Sequence, residues 1–376
     1  KKDKLFSLIF MLFSSLAFTA ELPYPIIFVH GLVGSDETFY QSMTYLNSEY
    51  GFGEINVFDV ILNGDDDVHT SNLDVDVKWE DFYFEDHFIN VGRRSYADDI
   101  NNYTDGWVSS DIFAVNFKEE RIRGTHWLFA GIEFDHFDYS NESAIYKQGL
   151  ALSKVIKEVI LFTNSDKVIL VGHSMGGLAI REYLQRRGDD NDTLTYRWWI
   201  DSSDNENGHR VAKVVTLGTP HCGSNYLNLY LRTESPPNPN SEAIRDLRYK
   251  YYSWAGESPN PQSDDGVYLF GGSESHIEML LSGFFNYDIN CDGDTNDEII
   301  GINSHIEYGA GHMCIDNFAM NLPANIDYTW IISDEDDDGG GDGIVRLDRQ
   351  WLYGIGNTLL IHDAHTDEPD NTGALI

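Results

Sequence analysis

Residues 167–188 read KVILVGHSMGGLAIREYLQRRG, and the way this stretch divides decides the fold. Residues 167–171 are apolar after the leading lysine and rich in Val and Ile, the composition of a buried strand. From Leu178 onward apolar residues recur at helical spacing, until Gly188 supplies a stop. Between the two lies Gly172-His173-Ser174-Met175-Gly176, which fits G-x-S-x-G. Such a pentapeptide occurs by chance; the strand before it and the amphipathic helix after it give it meaning. A serine nucleophile must stand clear of the sheet edge on a tight turn, and small residues at 172 and 176 let neighbouring backbone approach that turn. The helix N-terminus behind Ser174 sets positive partial charge where an oxyanion would develop. Gly177 does not complete G-x-G-x-x-G, which disfavours a dinucleotide site.

Working outward, residues 25–30 (PIIFVH), 55–62, 111–117, 212–217, 326–332 and 358–362 read as further short strands. Residues 35–50 read as a helix stopped by Gly51, and residues 143–162 as a helix striped by Ile145, Leu152, Val155, Ile156, Val159 and Ile160. Strands alternating with helices predict a mostly parallel sheet covered by helices on both faces. Residues 63–110 are acidic, aromatic and without clear period, and read as an insertion; Trp79, Phe82, Tyr83, Phe84 and Phe88 either line a substrate groove or pack the insertion down. Residues 221–325, rich in Pro, Asn, Ser and Gly, suit a lid or cap. The expectation is one domain over 21–376 carrying these two insertions.

A serine hydroxyl needs a base, and the base an orienting acid. After a G-x-S-x-G turn the chain order is serine, acid, histidine. Only His362 and His365 follow the last expected strand. His365 lies beyond the apolar run in a polar loop and is favoured as base; His362, at the strand end, reads as a packed or hydrogen-bonded side chain. For the acid, Asp342 stands between glycines and before an apolar pair, with Asp338 and Asp336 as rivals. Two backbone N–H groups must converge on the oxyanion. Met175 follows the nucleophile, and Leu32, after His30-Gly31 in the loop beyond the first strand, is the second expected donor. His30 precedes the serine and reads as a brace for that loop.

The chain has 376 residues, 41% hydrophobic and 13% aromatic, enough for a sizeable core. A formal charge of −37 argues against nucleic acid as a partner and against electrostatic docking on anionic lipid, but not against transient apolar contact with a lipid interface. Residues 1–20 (KKDKLFSLIFMLFSSLAFTA) have the lysines and short apolar run of a signal peptide, with cleavage after Ala17 or Ala20, which predicts a secreted, periplasmic or extracellular protein. In that compartment Cys291 and Cys314 either form a disulfide or stay free; without a C-x-x-C a structural zinc site is not expected.

At these residues the sequence resembles the α/β-hydrolase superfamily, specifically secreted lipase-like serine esterases: bacterial triacylglycerol lipases and relatives of GPI inositol-deacylase. The resemblance is carried by PIIFVHGLVGS, VILVGHSMGGLAIREYL, KVVTLGTPHCGS and GDGIV…HTDE, over roughly 25–50, 111–225 and 326–370. It implies an α/β-hydrolase fold, Ser174 as nucleophile, Asp342 as the D-G-x-V acid and His365 as base. It also implies that Asp367, two residues past the histidine, is a calcium ligand steadying that loop. The long acidic insertion and the 221–325 region depart from the family pattern.

Independently, Asp288, Asn290, Asp292 and Asp294 with Gly293 follow D-x-[DN]-x-[DN]-G, a spacing that converges side chains on calcium, although Ile299 replaces the glutamate expected to close such a loop. Asp334, Asp336 and Asp338 repeat the pattern, which leaves Asp342 either the acid of the serine site or a calcium ligand. The catalysis needs no cofactor; any calcium would be structural. The leading expectation is a carboxylic-ester hydrolase, lipase or esterase, working on an ester or lipid substrate through an acyl-enzyme. The alternatives are an acyltransferase or amidase with the same machinery, and a calcium-dependent surface or binding protein on an inactive hydrolase scaffold.

Overall fold

Short runs rich in Val, Ile and Phe, apolar on both faces, become the inner strands of a nine-stranded sheet. A computed structural model describes residues 22–62, 88–96, 103–119, 121–128, 132–143, 145–185, 209–221, 243, 251–254, 266–270, 322–337, 340–352 and 355–371. In chain order its strands are β1 (Ile26–Val29), β2 (Ile55–Leu62), β3 (Phe88–Tyr96), β4 (Tyr103–Asp105), β5 (Ile112–Asn116), β6 (Arg121–Leu128), β7 (Ile132–Tyr139), β8 (Val168–His173), β9 (Val211–Leu217), β10 (Tyr251–Trp254), β11 (Gly266–Phe270), β12 (Asp327–Ser333) and β13 (Asn357–Ile361). The α-helices are α1 (Tyr40–Tyr50), α2 (Ile145–Thr163) and α3 (Met175–Gln185).

The large sheet has the order β13-β12-β9-β8-β1-β5-β2-β3-β4. Every pair from β13 to β2 is parallel, and β3 and β4 close that side antiparallel. Successive side chains along a strand point to opposite faces, and both faces of the inner strands are buried. Ile27 and Val29 join Leu170, Val214 and Trp330 under α2 and α3. Ile26 and Phe28 join Val57, Val171 and Ile331 with Phe39, Met43 and Leu46 from the α1 side. Parallel pairing needs crossovers, and α2 and α3 supply them on one face of the sheet.

Local chemistry sets the helix ends. The Ser35 hydroxyl accepts from Glu37 N–H and caps the 3₁₀ turn Asp36–Phe39 that leads into α1. Gly51, at φ 73°, ends α1 in the left-handed region and donates its N–H to the Asn47 carbonyl at 2.8 Å. Among the described residues, no helix is long and apolar enough to cross a membrane.

Two expectations change. Part of the 63–110 segment belongs to the sheet: β3 pairs with β2 from Ile55↔Tyr96 to Leu62↔Phe88, and β4 pairs with β3. Consecutive arginines hid it. They are tolerated because Arg94 pairs with Asp36 at 2.8 Å and Asp59 at 3.0 Å, while Arg93 reaches Glu158 and lies 4.8 Å from the centre of the Trp107 ring. The stretch between β5 and α2, given no element in the sequence reading, forms the antiparallel ribbon β6–β7. Within 221–325, β10 and β11 pair antiparallel. The expected signal peptide, the aromatic cluster at 79–84, all three cysteines, Asp338 and the calcium loop at Asp288, Asn290, Asp292 and Asp294 lie outside the described residues.

Candidate active site

Ser174 follows β8 in the left-handed region, at φ 51°. Its N–H donates to the Leu217 carbonyl on β9 at 2.9 Å, and Gly177 N–H donates to its carbonyl at 3.1 Å, so the turn is tied on both sides. Two glycines make room for it. A Cβ on Gly176 would lie 2.2 Å from the Val29 carbonyl oxygen. A Cβ on Gly31 would lie 2.6 Å from Ser174 Cβ. β1 and its loop are therefore pressed against the serine turn, and any side chain at either position would push them apart.

The structure brings the three residues of the expected serine–histidine–acid set together. Ser174 Oγ lies 2.8 Å from His365 Nε2, and His365 Nδ1 lies 2.8 Å from Asp342 Oδ2. A carboxylate accepts, so Nδ1 carries the proton and Nε2 is left to accept from the serine hydroxyl. All three are buried. Asp342 is held from behind: its Oδ1 accepts from Ile344 N–H at 2.9 Å and Val345 N–H at 2.7 Å, and its carbonyl accepts from His365 N–H at 3.0 Å. Burial alone would raise its carboxyl, but the imidazole beside it and these two N–H donors outweigh that and hold it below the usual carboxylate range. Gln350 fixes the same turn, donating to the Ser333 and Val345 carbonyls and accepting from Ser333 N–H at 2.6 Å.

The competing residues stand elsewhere. Asp336 is exposed. Asp334 is buried, and its carboxylate accepts from Gly341 N–H at 3.1 Å. His362 is exposed and pairs through Nδ1 with the Asp334 carbonyl at 3.1 Å. Met175 opens α3 directly after Ser174, and Leu32 sits in the β1 loop, partly buried against the main core. Gly34 N–H donates to the Gly31 carbonyl at 3.1 Å and closes that loop. His30 braces it: Phe117 N–H donates to Nε2 at 2.9 Å, which leaves Nδ1–H to donate to the Gly31 carbonyl at 2.8 Å. Complete burial drives the His30 pKa down to about 4, so the ring stays neutral. A cleft of about 460 Å³ opens between the segments 33–41 and 366–370, bordered by Val33, Tyr40, Thr366 and Asp370.

Two residues at the site had no role in the sequence reading. His173, the residue before Ser174, packs its ring 4.7 Å from that of His365 and pairs through Nε2 with the His365 carbonyl at 2.8 Å. Burial, with His365 beside it, lowers its pKa to about 3. Glu368 is fully buried, its Oε1 3.9 Å from His365 Nδ1 and its Oε2 3.6 Å from His173 Nε2. Burial first, and then the neighbouring Asp342 charge, push its carboxyl well above the usual range. Its position three residues after His365 was the available signal, since that spacing returns a side chain to the same face of a tight turn.

His173, His365 and Glu368 place ligand-type atoms within 4.8 Å of one another. Both His365 nitrogens and His173 Nε2 are already engaged in hydrogen bonds, so this group fits hydrogen bonding rather than coordination. Asp367 is exposed beside Thr366, and among the described residues no set of three His, Cys, Asp or Glu ligands gathers round it.

The family model for lecithin:cholesterol acyltransferase matches residues 134–231, which span the serine turn. No curated protein sequence matches the chain. Among solved structures, the lin2722 gene product of Listeria innocua is similar at 12% identity, covering 94% of this chain and 90% of that one, with a TM-score of 0.43. The mature lipase BlEst2 of Bacillus licheniformis is similar at 14% identity, over 94% of this chain and 89% of that one, with a TM-score of 0.36. The phospholipase PlaB of Legionella pneumophila is similar at 11% identity, over 86% of this chain and 44% of that one, with a TM-score of 0.34. With its parallel sheet, its strand–serine–helix turn and this family match, the chain has an α/β-hydrolase fold and is similar to lipase-like acyltransferases and hydrolases.

Proposed function

We propose that the protein is a secreted serine hydrolase that cleaves carboxylic esters of lipid type. The observation that carries this reading is the unbroken pair of 2.8 Å hydrogen bonds from Ser174 through His365 to Asp342. Ser174 Oγ attacks the ester carbonyl while His365 Nε2 takes the hydroxyl proton, and Asp342 stabilises the imidazolium that results. The N–H groups of Leu32 and Met175 receive the oxyanion. The bond to the alcohol then breaks, the alcohol leaves with the proton from His365, and the acyl group stays on Ser174. Water, deprotonated by the same imidazole, attacks the acyl-enzyme and releases the acid. Asp367 and the loop at Asp288, Asn290, Asp292 and Asp294 would add structural calcium outside these steps.

The match to the lecithin:cholesterol acyltransferase model favours a second reading. In it an alcohol replaces water in the second half-reaction and receives the acyl group. One experiment tests both: p-nitrophenyl esters of increasing chain length, with and without an added alcohol, on the native chain and on Ser174→Ala. Hydrolysis lost in the variant supports the serine mechanism. A new ester formed from the alcohol identifies acyl transfer. Unchanged turnover in Ser174→Ala overturns the assignment.

A further inference from the structure

The loop after β1 reverses over four residues. Gly34 N–H donates to the Gly31 carbonyl at 3.1 Å, so Gly31 to Gly34 form a β-turn with Leu32 and Val33 at its centre. Val33 sits at φ 58°, where such a turn ordinarily places Gly or Asn, and a β-branched residue is strained there. Its side chain is exposed, so packing does not hold it in that conformation. Backbone strain of this kind persists only where the surroundings impose it. Here hydrogen bonds impose it from either end. At one end the Gly31 carbonyl accepts from Gly34 N–H and from His30 Nδ1–H. At the other the Gly34 carbonyl accepts from Asn141 Nδ2–H at 3.1 Å. Asn141 is buried on the 3₁₀ turn Ser140–Glu142. That turn is fastened to the sheet in its own right, since Ser140 Oγ accepts at 2.8 Å from Leu62 N–H at the end of β2.

We infer that Asn141 is a positioning residue for the oxyanion donor at Leu32: its amide hooks the far end of the turn and keeps it in the strained form that aims the Leu32 N–H. This rests on the hydrolase reading above and adds to it the side chain that holds one of its two donors. The linkage runs through the turn. Asn141 fixes the Gly34 carbonyl, and the N–H of the same Gly34 holds the Gly31 carbonyl. The Gly31 carbonyl and the Leu32 N–H belong to one planar trans peptide, in which they point opposite ways. Fixing the first therefore sets the direction of the second. Gly31 is also the residue pressed against the serine turn, where an added Cβ would lie 3.2 Å from Ser174 Oγ, so this peptide borders the reacting hydroxyl. Without the hook, Val33 can leave the left-handed region, the peptide planes beside it rotate, and the hydrogen bond that closes the turn weakens with them.

The test compares kcat and KM on p-nitrophenyl butyrate for the native chain, Asn141→Ala, Val33→Gly and the double variant Val33→Gly/Asn141→Ala. Asn141→Leu is included because it roughly keeps the buried volume while removing the donor, and so serves if the alanine cavity costs the fold. Loss of a whole oxyanion donor costs about 10²–10³-fold in kcat. A donor left in place but misdirected should cost about 10–100-fold, with KM changed by less than about threefold. Glycine at position 33 adopts the left-handed conformation without strain, so the turn no longer needs the hook. The double variant should therefore recover at least about fivefold in kcat over Asn141→Ala, a coupling that a loss of general stability would not produce. A second readout does not depend on turnover: amide hydrogen exchange at Gly34, whose N–H closes the turn, should quicken at least about tenfold in Asn141→Ala and Asn141→Leu. A kcat within twofold of native in the folded single variants, a Gly34 exchange rate indifferent to Asn141, or no recovery with Val33→Gly overturns the inference. Because exchange is read on the turn itself, this failure is told apart from that of the hydrolase reading, which Ser174→Ala decides.

Discussion

Replacing Gly31 with alanine isolates the steric requirement of the nucleophile. The new Cβ would lie 2.6 Å from Ser174 Cβ, 3.1 Å from the His173 carbonyl oxygen and 3.2 Å from Ser174 Oγ. Carbon atoms pack at about 3.5–4.0 Å, so relief requires a shift of about 1 Å. The serine turn has little freedom to give elsewhere, since it sits at φ 51° with its N–H on Leu217 and its carbonyl on Gly177. The shift therefore falls on Oγ and on its 2.8 Å contact with His365. A 1 Å misplacement at a reacting centre costs about 10²-fold in rate, or about 2.7 kcal/mol of barrier. Gly31 is not in the left-handed region, so its backbone accepts alanine and the fold should survive. The assay is kcat and KM for p-nitrophenyl butyrate, with the thermal unfolding midpoint measured alongside. The expected result is a kcat lowered about 100-fold, a smaller change in KM and a midpoint within a few degrees of native. A native-like kcat in a folded variant would refute the view that Gly31 exists to clear space for Ser174.

Gly176→Ala should behave differently, because its Cβ meets the Val29 and His30 carbonyl oxygens at 2.2 and 2.5 Å, rigid backbone on both counts; a loss of about 4 kcal/mol or more is expected in denaturant titration. Gln350→Leu strands the Ser333 and Val345 main-chain groups behind Asp342 and should lower stability by about 1–3 kcal/mol with a matching fall in kcat, both read in one preparation. Acid should weaken the fold through His30. Its pKa is about 4 when folded against 6.5 in the free side chain, so between those values the unfolded chain binds a proton that the native chain refuses. Stability therefore rises with pH across that window and is lost as pH falls from 6.5 to 4, by about 3 kcal/mol for this ring. Guanidinium midpoints at pH 7.5 and 4.5 should differ less in His30→Asn than in the native chain; an equal difference would remove His30 from the explanation.

The inner sheet was legible because its strands are largely buried on both faces and carry runs rich in Val, Ile and Phe. Residues 55–62 and the serine turn fell where the pattern put them. β3 and β4 were not legible: Gly92, Arg93 and Arg94 break the apolar run, and only the distant Asp36, Asp59 and Glu158 make those charges tolerable in a strand. At the site, the G-x-S-x-G turn, the order serine, acid, histidine and the local setting of each residue pointed to Ser174, Asp342 and His365, with His362, Asp336 and Asp338 as rivals. His173 and Glu368 escaped because their importance lies in what they pack against. One occupies a position that the serine motif leaves open to any residue. The other was read only as part of the H-x-D-E segment and given no task.

Among the described strands β13 has a single neighbour, and every residue from Asn357 to Leu360 is exposed. His365 hangs just beyond it, while Ser174 is rooted between two central strands. Edge strands fray before the middle of a sheet does. Under the proposed mechanism, gentle warming should therefore silence activity by displacing His365 while the surroundings of Ser174 remain intact. For the same reason, under the proposed mechanism a chain still emerging during synthesis holds a well-formed Ser174 turn that stays chemically dormant until β13 docks.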